Sequence, residues 1–592
     1  MKTLLKLRRM PIVFTAPAVA MLLAVFGMPI VELFMASLNA PSLSLANYQA
    51  FFAQWANVRV LVQTVEISAV ATALCLIIGY PTAYLIVAAP KRLRIVLMVL
   101  VFMPWLTNGL VRTYAWVVIL GDRGLINNLL IDLGLISSPL SLIYNRMAIY
   151  IGMVHIMLPM MILPLISVML GIDRSLVAAA GSMGARPFAA FWRVFLPLSL
   201  PGVRSGSLLV FIFCLGFYIT PQALGGLGDA MLSTFIAAKV AAAGSLASIA
   251  ASSFVLLAVA VAVLSMVGLD LSGKQGLAGQ PAQTFQRGRL PSLGPLARYL
   301  NELATCYRVK RWRAQLYRAD GGSRSWAIFG VVWVVLAMFF LQFPGLIVII
   351  TSFSPEPYLE FPPSGLSLRW YYSFFGDPSW TGAFWNSVQL GIAVSILATI
   401  IGTLAAYGLS RTHPRLRVFL TMLILTPITF PGIVVGVAIY LGLIKLGLIG
   451  TELGLILSHT VGAIGTVVVI VSATLANFDR RLEQAAQSMR AGPLRTIMRV
   501  TLPLIRPAIV GSAVFAFIHS FDEVVVTSLV SAFSIRTLPL KMWEDIRHQL
   551  DPTIAAVGSM LTVLPVLWLI VLYLGWWRSR SKSQSALVRG VP

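Results

Sequence analysis

The sequence predicts an all-α polytopic membrane protein with about twelve transmembrane helices, arranged as two parallel six-helix repeats. The chain of 592 residues is 58% hydrophobic and 11% charged, with a mean hydropathy of +0.88, far from the composition of soluble globular proteins. Apolar runs long enough to cross a bilayer recur along it. One polar and basic stretch, GSMGARPFAAFWRVFLPLSLP at 181–201, returns in altered form at 487–507.

The apolar runs are predicted to be helices. A run such as AVATALCLIIGYPTAYLIVAA, from Ala69, crosses about 30 Å of hydrocarbon at about 1.5 Å per residue. Backbone polar groups need partners inside the membrane, and the runs lack the alternation of barrel strands, so helices are the structure that satisfies them. The predicted spans are 11–38, 60–88, 95–120, 148–171, 203–224, 246–268, 327–353, 384–410, 417–447, 454–474, 507–531 and 553–576.

The net charge of +24 is distributed as a topology signal. Basic residues cluster before the first span, after the second and between the fourth and fifth, and again at the matching places of the second half. This positive-inside pattern places both termini in the cytoplasm. It also explains the basic excess without nucleic acid, so we expect the lipid bilayer, and no nucleic acid, to be the partner of these charges.

The chain is predicted to divide into a first repeat, 1–267, a basic cytoplasmic linker, 268–325, and a second repeat, 326–592. An even number of spans in each half makes the repeats parallel, which disfavours inverted-repeat secondary transporters. A short basic helix is expected in the linker at 297–317. The linker residues from Gly268 to Lys274 match the spacing of a phosphate-binding loop, but Gln275 follows where Ser or Thr should bind Mg²⁺ and no strand precedes. We therefore predict no ATP hydrolysis by this chain.

Catalytic and metal-binding residues are not indicated. Three scattered cysteines form neither a disulfide framework nor a metal motif, and no nucleophile elbow is present. We predict no catalytic residue, no metal and no cofactor in this chain, and a polytopic membrane enzyme is disfavoured for that reason.

The repeated stretch lies between the fourth and fifth spans of each half, on the cytoplasmic side. The fuller loops are 173–201 and 479–507, and the 21 positions that start at 181 and 487 share ten identities without a gap, at an offset of 306 residues (487 minus 181). Each copy predicts a short helix, a break, and an amphipathic helix that ends at a proline opening the next span. Chance similarity between two basic loops does not explain this match.

At these residues the chain resembles the membrane permeases of type I ATP-binding-cassette importers, of the MetI-like fold. Their motif is Glu-Ala-Ala, three residues, Gly, nine residues, then Ile-x-Leu-Pro. The resemblance implies that both loops are coupling helices that dock on cytoplasmic ATPase subunits. The matching positions, with one acidic neighbour, are Ala178, Ala179, Ala180, Gly184, Pro197, Glu483, Gln484, Ala485, Ala486, Arg490 and Pro503.

The same resemblance implies partners and a location. These are two ATPase subunits, expected as a homodimer, which bind the ATP and Mg that this chain lacks, and a periplasmic substrate-binding protein. The chain is expected in a bacterial inner membrane.

Both loops depart from the family motif. Ala178 and Gln484 stand where the family has Glu, although Glu483 is adjacent and could substitute for it. Arg490 stands where the family has Gly. We therefore expect the two loops to make unequal contacts with the ATPase.

The substrate class follows from a narrower resemblance. VRTYAWVVILGDRGLINNLL from Val111 and LGFYITPQALGG from Leu215 are similar to one permease subunit of spermidine/putrescine-type importers, and HSFDEVVVTSLV from His519 is similar to the other. The chain therefore resembles the two subunits fused. Import of iron(III), thiamine, an opine or aminoethylphosphonate by the same class remains an alternative, and an ion-coupled secondary transporter is the alternative of another class.

Three ionisable residues are candidates for the substrate path. His519, Asp522 and Glu523 are spaced i, i+3 and i+4 in the eleventh span, so they are predicted to share one helical face at mid-membrane depth. Two carboxylates there suit a cationic solute. Alternatively they pair with His519 or with Arg112 and only fix the packing. The matching first-half positions are Gly216 and Phe217, so an acidic site is one-sided.

Aromatic residues could bind the same cation through cation–π contacts. The candidates are Trp105, Tyr114, Trp116 and Tyr218, although Trp and Tyr near span ends also serve as interfacial anchors. The outer loops at 536–552 and 361–380 are expected either to receive the binding protein or to be plain solvated loops.

Overall fold

The computed structural model describes residues 11–39, 41–266, 322–358, 360–532, 534–548, 551–564 and 567. Within these ranges the chain consists of helices, turns and irregular segments, with no strand, so the predicted all-α class is confirmed. Most of the predicted linker, its predicted helix at 297–317 and the Gly-rich match at 268–274 lie outside the described residues.

The first half begins with a membrane-spanning helix and ends with another. Its helices are α1 (Ile12–Ser37), α2 (Ala46–Ala53), α3 (Trp55–Ala88), α4 (Lys91–Leu106), α5 (Gly109–Leu120), α6 (Leu125–Asp132), α7 (Arg146–Leu170), α8 (Arg174–Ser182), α9 (Phe188–Leu215), α10 (Ile219–Leu224), α11 (Leu232–Ala241) and α12 (Leu246–Met266).

The second half repeats this order. Its helices are α13 (Gly322–Thr351), α14 (Arg369–Gly376), α15 (Pro378–Ser410), α16 (Pro414–Thr429), α17 (Gly432–Lys445), α18 (Glu452–Ala476), α19 (Arg481–Ser488), α20 (Pro493–Phe521), α21 (Val525–Val530), α22 (Leu538–His548) and α23 (Thr553–Leu564). They correspond in order to the helices of the first half, except that α6 has no counterpart in the described part of the second half.

The described residues contain nine helices that are long and apolar enough to cross a membrane, or up to eleven if each of two bent pairs is one span. These match the first eleven predicted spans. The twelfth predicted span begins with α23, and its remainder lies outside the described residues.

The third and ninth spans differ from the continuous helices predicted for them. Helices α4 and α5 meet at an angle of 92°, and α16 and α17 at 101°. In the second break, Phe430 has an extended backbone with ψ 149° because it precedes Pro431, which has no N–H and disfavours a helical residue before it. In the first break, Thr107 and Asn108 are extended. The fifth and eleventh spans also end earlier than predicted, at Leu215 and Phe521, and continue after a break as α10 and α21.

The first helix of each half packs against the other half. Helix α1 packs on the second half, where Glu32 forms an ion pair with Lys445 (Nζ–Oε2 2.7 Å). Helix α13 packs on the first half, where Trp333 Nε1 donates to Thr82 Oγ1 at 3.1 Å. Polar bonds of this kind between helices hold spans together in lipid, where the hydrophobic effect does not. The exchange interlocks the two halves.

Candidate functional site

The repeated loops fold alike at their first helices. Asp173 Oδ1 accepts the backbone N–H of Ser175 at 2.8 Å, and Asp479 Oδ1 accepts that of Arg481 at 2.9 Å. Hydrogen bonds from the side chain and backbone of Ser175 hold the pKa of Asp173 below its usual value. These carboxylates satisfy N–H groups that a helix start leaves without partners.

The break inside each loop has the same left-handed backbone. Gly184 has φ +82° and Arg490 has φ +60°. In both loops the following residue bonds back to the helix, Ala185 N to Ala180 O at 2.9 Å and Ala491 N to Ala486 O at 3.0 Å, which is the pattern of a Schellman motif. The loop therefore keeps its shape where the family glycine is missing, although a non-glycine residue adopts this conformation at a cost of roughly 1–2 kcal/mol.

The two loops carry matching exposed surfaces. Met183 is 88% exposed and Met489 84%, while Leu176 and Leu482 are about half exposed. Among the predicted coupling residues, Ala178, Ala179, Gly184, Gln484, Ala485 and Arg490 are exposed, as are Pro197 and Pro503 at the start of the fifth spans, and Ala180 and Ala486 are partly so. Exposed apolar side chains clustered on a protruding loop are typical of a protein interface.

An arginine ties each loop to the second span of its own half. Arg174 Nη2 donates to Val87 O at 2.8 Å, and Arg480 Nη2 donates to Ser410 O at 2.7 Å. The donors are 306 residues apart (480 minus 174), as in the repeated stretch. Each bond reaches a carbonyl near the C-terminal end of α3 or α15, so each loop is bonded directly to that helix.

The two loops are anchored differently from one another. Glu483 is 7% exposed; it accepts from Thr501 Oγ1 at 2.6 Å and forms an ion pair with Arg411 Nη2 at 2.6 Å. Its carboxylate thus faces its own chain. Val177 occupies the matching position of the first loop.

Aromatic packing replaces that ion pair in the first half. Tyr84 contacts Phe191 and Phe195 with ring centroids at 5.5 and 5.1 Å. A small cavity of about 270 Å³ lies beside these rings and the loop. The two loops are therefore anchored differently, while the expected inequality of their ATPase contacts stays a prediction.

Both fifth spans begin with one turn of π-helix, at Phe191–Phe195 and Ile497–Thr501. Pro197 and Pro503 follow one residue later. Wider turns of this kind are frequent at functional sites, although α1 contains one as well, at Leu23–Gly27.

Helix α20 ends at Phe521, just before the two predicted acidic residues Asp522 and Glu523. Asp522 is the residue after its last turn, and Glu523 Oε1 accepts the N–H of Val526 at 2.9 Å, which caps α21. The predicted single helical face for His519, Asp522 and Glu523 is wrong in this respect, because the helix breaks between the first and the last of them.

Asp522 bonds across to the other half. Asn108 Nδ2 donates to Asp522 Oδ1 at 2.8 Å, and Asn108 Oδ1 accepts the N–H of Leu110 at 2.7 Å as the cap of α5. Arg112, one turn further along α5, interacts electrostatically with Asp522. Asp522 is therefore hydrogen-bonded to Asn108, in the break of the third span, in addition to its electrostatic interaction with Arg112.

The matching position in the first half is a glycine, which has no side chain to bond across to the second half. Gly216, which corresponds to Asp522 by the same offset, packs against the break of the ninth span. A Cβ at Gly216 would lie 3.1 Å from both Gly432 N and Pro431 Cα. The two halves thus meet twice at matching breaks, once through a carboxylate and once through a glycine.

Buried histidines brace the end of α20. His459 Nδ1 bonds Ser520 Oγ and His459 Nε2 bonds Thr527 Oγ1, both at 2.9 Å, which links α20 to α21. His519 packs against Gly462 of α18. Sequence analysis missed both Asn108 and His459; polar side chains inside apolar spans were the available signal. Among the described residues, no three His, Cys, Asp or Glu side chains are grouped as metal ligands.

The predicted aromatic residues do not form one cluster. Trp105 lies three residues before Asn108, with Phe102 and Phe515 at ring centroid distances of 5.6 and 5.8 Å. Tyr114 is fully buried in α5, and Trp116 packs on His155 at 5.7 Å. Only Trp105 is therefore close to the contact between Asn108 and Asp522 along the chain.

Tyr218, the fourth aromatic candidate, contacts the outer helix α22. Its ring centroid lies 5.7 Å from that of Trp543. The start of α22 is held by Ser387 Oγ, which accepts the N–H of Leu538 at 2.7 Å, and α11 is held identically by Thr64 Oγ1 and the N–H of Leu232. The predicted outer surface at 536–552 thus contains a helix with a buried inner face.

The second predicted outer surface, at 361–380, contains α14. Tyr372 is 74% exposed and Phe375 66% on this helix. Exposed aromatic side chains at this level suit either the membrane interface or a protein partner.

Known proteins match both halves. The family model for binding-protein-dependent transport system inner membrane components matches residues 76–271 and 398–579. The chain is 38% identical over 196 residues to the spermidine/putrescine transport system permease protein PotB of Haemophilus influenzae, covering 32% of this chain and 68% of that protein. The identity to PotB of Escherichia coli is 33% over 177 residues, covering 30% and 64%.

Two further matches complete the comparison. The identity to PotC of Escherichia coli is 30% over 234 residues, covering 39% of this chain and 87% of that protein. A crystal structure of a bacterial ABC transporter involved in the import of the acidic polysaccharide alginate aligns at 16% identity and a TM-score of 0.35, over 44% of this chain and 97% of that one, which is too low to bear on the fold.

Proposed function

Since the chain belongs to the family of binding-protein-dependent transport system inner membrane components, as its repeated loop predicts, we propose that it forms the whole membrane pathway of an importer for a small cationic solute of the polyamine class. Two separate permeases named for spermidine and putrescine, PotB and PotC, are both similar to this one chain. The two halves then do the work of two subunits within one multi-pass inner-membrane protein.

The observation that supports a cationic substrate is the position of the Asp522 carboxyl group at the contact between the halves. Asp522 interacts with the guanidinium of Arg112, and the adjacent Glu523 adds a second carboxyl group that caps α21. Ionisable groups at membrane depth are costly and mark substrate paths. An alkylammonium group donates hydrogen bonds to a carboxylate, and the nearby Trp105 ring offers a cation–π contact.

The mechanism is alternating access driven from the cytoplasm. A periplasmic binding protein delivers the solute at the outer face. Two ATPase subunits, a homodimer, bind ATP and Mg and close on each other, which displaces the loops that carry Met183 and Met489. The bonds of Arg174 and Arg480 pass this displacement to α3 and α15, and the two halves rock to open inward.

The chain itself then hydrolyses no ATP and holds no cofactor. Both termini lie in the cytoplasm in this proposal, because the basic clusters lie on the side of the coupling loops. The unequal anchors, Glu483 with Arg411 in one half and the rings around Tyr84 in the other, give the homodimer two different docking surfaces.

Reconstitution tests this function. The chain is inserted into liposomes with its ATPase and binding protein. ATP is supplied on the side of the membrane that carries the ATPase, and the uptake of labelled spermidine is measured. Asp522→Asn and Glu523→Gln are each expected to reduce uptake at least about tenfold, because each removes an interaction with a charged group worth about 1.5–3 kcal/mol. Glu32→Gln, in the ion pair with Lys445, is the matched control and is expected to retain uptake.

The alternatives give different results in the same assay. Uptake that follows an ion gradient without ATP hydrolysis indicates a secondary transporter. Competition of labelled spermidine by thiamine, an opine, aminoethylphosphonate or iron(III), but not by putrescine, indicates the same class with another substrate. Full spermidine uptake by both carboxyl variants contradicts the proposed site.

A further inference from the structure

The hydrogen bond from Asn108 to Asp522 joins two broken helices of opposite halves, 414 residues apart in the chain. Asn108 follows α4 and starts α5, and Asp522 ends α20 before α21. Breaks in membrane helices are the places where backbone angles change when halves move. A bond between two such breaks couples the movement of one half to that of the other.

Both polar atoms of the Asn108 side chain are engaged at this place. Its oxygen caps α5 through the N–H of Leu110, its nitrogen binds Asp522, and the residue is 3% exposed. A buried amide that loses its acceptor is left unsatisfied. In the absence of another ligand, the bond therefore holds the two halves in this arrangement.

From this geometry we propose that the bond between Asn108 and Asp522 is a latch that the cationic substrate opens, an inference that rests on the proposed function. An alkylammonium group that binds Asp522 competes with Asn108 for its carboxylate, and a charged donor competes well against a neutral amide. Asn108 and α5 are then released from α20.

The contact of Gly216 with Pro431 and Gly432 makes the release directional. It has no polar bond that a solute could replace, and its backbone atoms are in close contact. The halves therefore part on the side of Asn108 and turn about Gly216. Without substrate the latch stays closed, and ATP hydrolysis by the bound ATPase stays slow.

The test compares two asparagines that both cap helices. Asn108→Ser keeps a capping oxygen for α5 but is too short to reach Asp522. Asn145→Ser is the control, because Asn145 Oδ1 caps α7 through the N–H of Ala148 and lies outside the latch. The measurement is ATP hydrolysis by the full reconstituted complex, without and with the spermidine-loaded binding protein.

Asn108→Ser is expected to raise hydrolysis without spermidine about fivefold, the lower range of measured coupling between sites, and to reduce the stimulation by spermidine. Asn145→Ser is expected to behave as the natural chain. Asp522→Asn keeps an oxygen for Asn108, so its hydrolysis without spermidine stays low and spermidine no longer stimulates it. If Asn108→Ser does not assemble with the ATPase, Asn108→Thr, which also caps, is measured instead.

The outcomes separate the latch from the function. Unchanged hydrolysis without spermidine in Asn108→Ser, with normal stimulation, overturns the latch and leaves the proposed function intact. Normal spermidine uptake and stimulation in Asp522→Asn overturns the proposed substrate site, whatever Asn108→Ser shows.

Discussion

Arg411, the residue that follows α15, and Glu483, in the repeated loop 479–507, form an ion pair with 2.6 Å between Nη2 and Oε2. Their side chains are only 13% and 9% exposed, and Thr501 donates to the other carboxylate oxygen. Removing one partner of such a pair leaves an uncompensated buried charge. The pair thus fixes the loop to the second span of its half.

Glu483→Ala is expected to destabilise the attachment of this loop by about 3 kcal/mol, since the Arg411 charge remains buried. Hydrogen–deuterium exchange of residues 481–501 should accelerate strongly as the loop opens. Gln484→Ala, at an exposed neighbour, is the control and should exchange as the natural chain. A double variant, Arg411→Met with Glu483→Leu, should recover most of the protection, because it removes both charges; no recovery would mean that the charges are not the cause.

Arg174 and Arg480 make the same kind of bond in the two halves, and both are exposed. Replacing either with alanine is expected to cost less than about 1 kcal/mol of stability but to lower the solute transported per ATP hydrolysed. The reason is that loop displacement no longer reaches α3 or α15. The two effects should add in the double variant, because the sites are far apart.

Arg417→Ala controls for the loss of a positive charge in that experiment. Arg417 lies near the start of α16 and is exposed. If Arg417→Ala lowers the solute transported per ATP hydrolysed by the same amount, the loss of charge is the cause, and not the loss of the two bonds to carbonyl groups.

Arg490 adopts φ +60° where the matching residue is Gly184 with φ +82°. Arg490→Gly is expected to stabilise the second coupling loop by about 1 kcal/mol, because glycine adopts this conformation without strain. Gly184→Ala should destabilise the first loop by a similar amount. Thermal unfolding of the purified permease measures both, and changes of the same sign would contradict the argument.

Local pattern was enough to predict the helices and the repeat. A match at a constant offset of 306 residues can be found in the sequence alone, and apolar length alone defines a span. The role of the repeated loops in coupling stays a prediction.

The bends could not be predicted from the prolines. Pro81, Pro159 and Pro164 lie inside helices that run on, whereas Pro431 follows a break of 101°. In a membrane, neighbouring helices re-satisfy the groups that a proline frees, so tertiary contacts decide which proline bends a span. The partners of Asp522 and Glu483 were missed for a similar reason: Asn108 and Arg411 are distant in sequence, and no local pattern links them.

Gly216 is the residue on which the two halves are inferred to turn. A Cβ there would lie 3.1 Å from backbone atoms of Pro431 and Gly432, which cannot rotate away as a side chain can. Gly216→Ala is therefore expected to cost about 1–3 kcal/mol by overpacking and to slow spermidine uptake in the reconstituted complex. Gly511→Ala in α20 is the matched control, because nothing lies within 4 Å of a Cβ at that glycine, and it should leave uptake unchanged. If Gly216→Ala transports as fast as Gly511→Ala, the contact is not a pivot, and the asymmetry between the two breaks has another role than guiding the rocking of the halves.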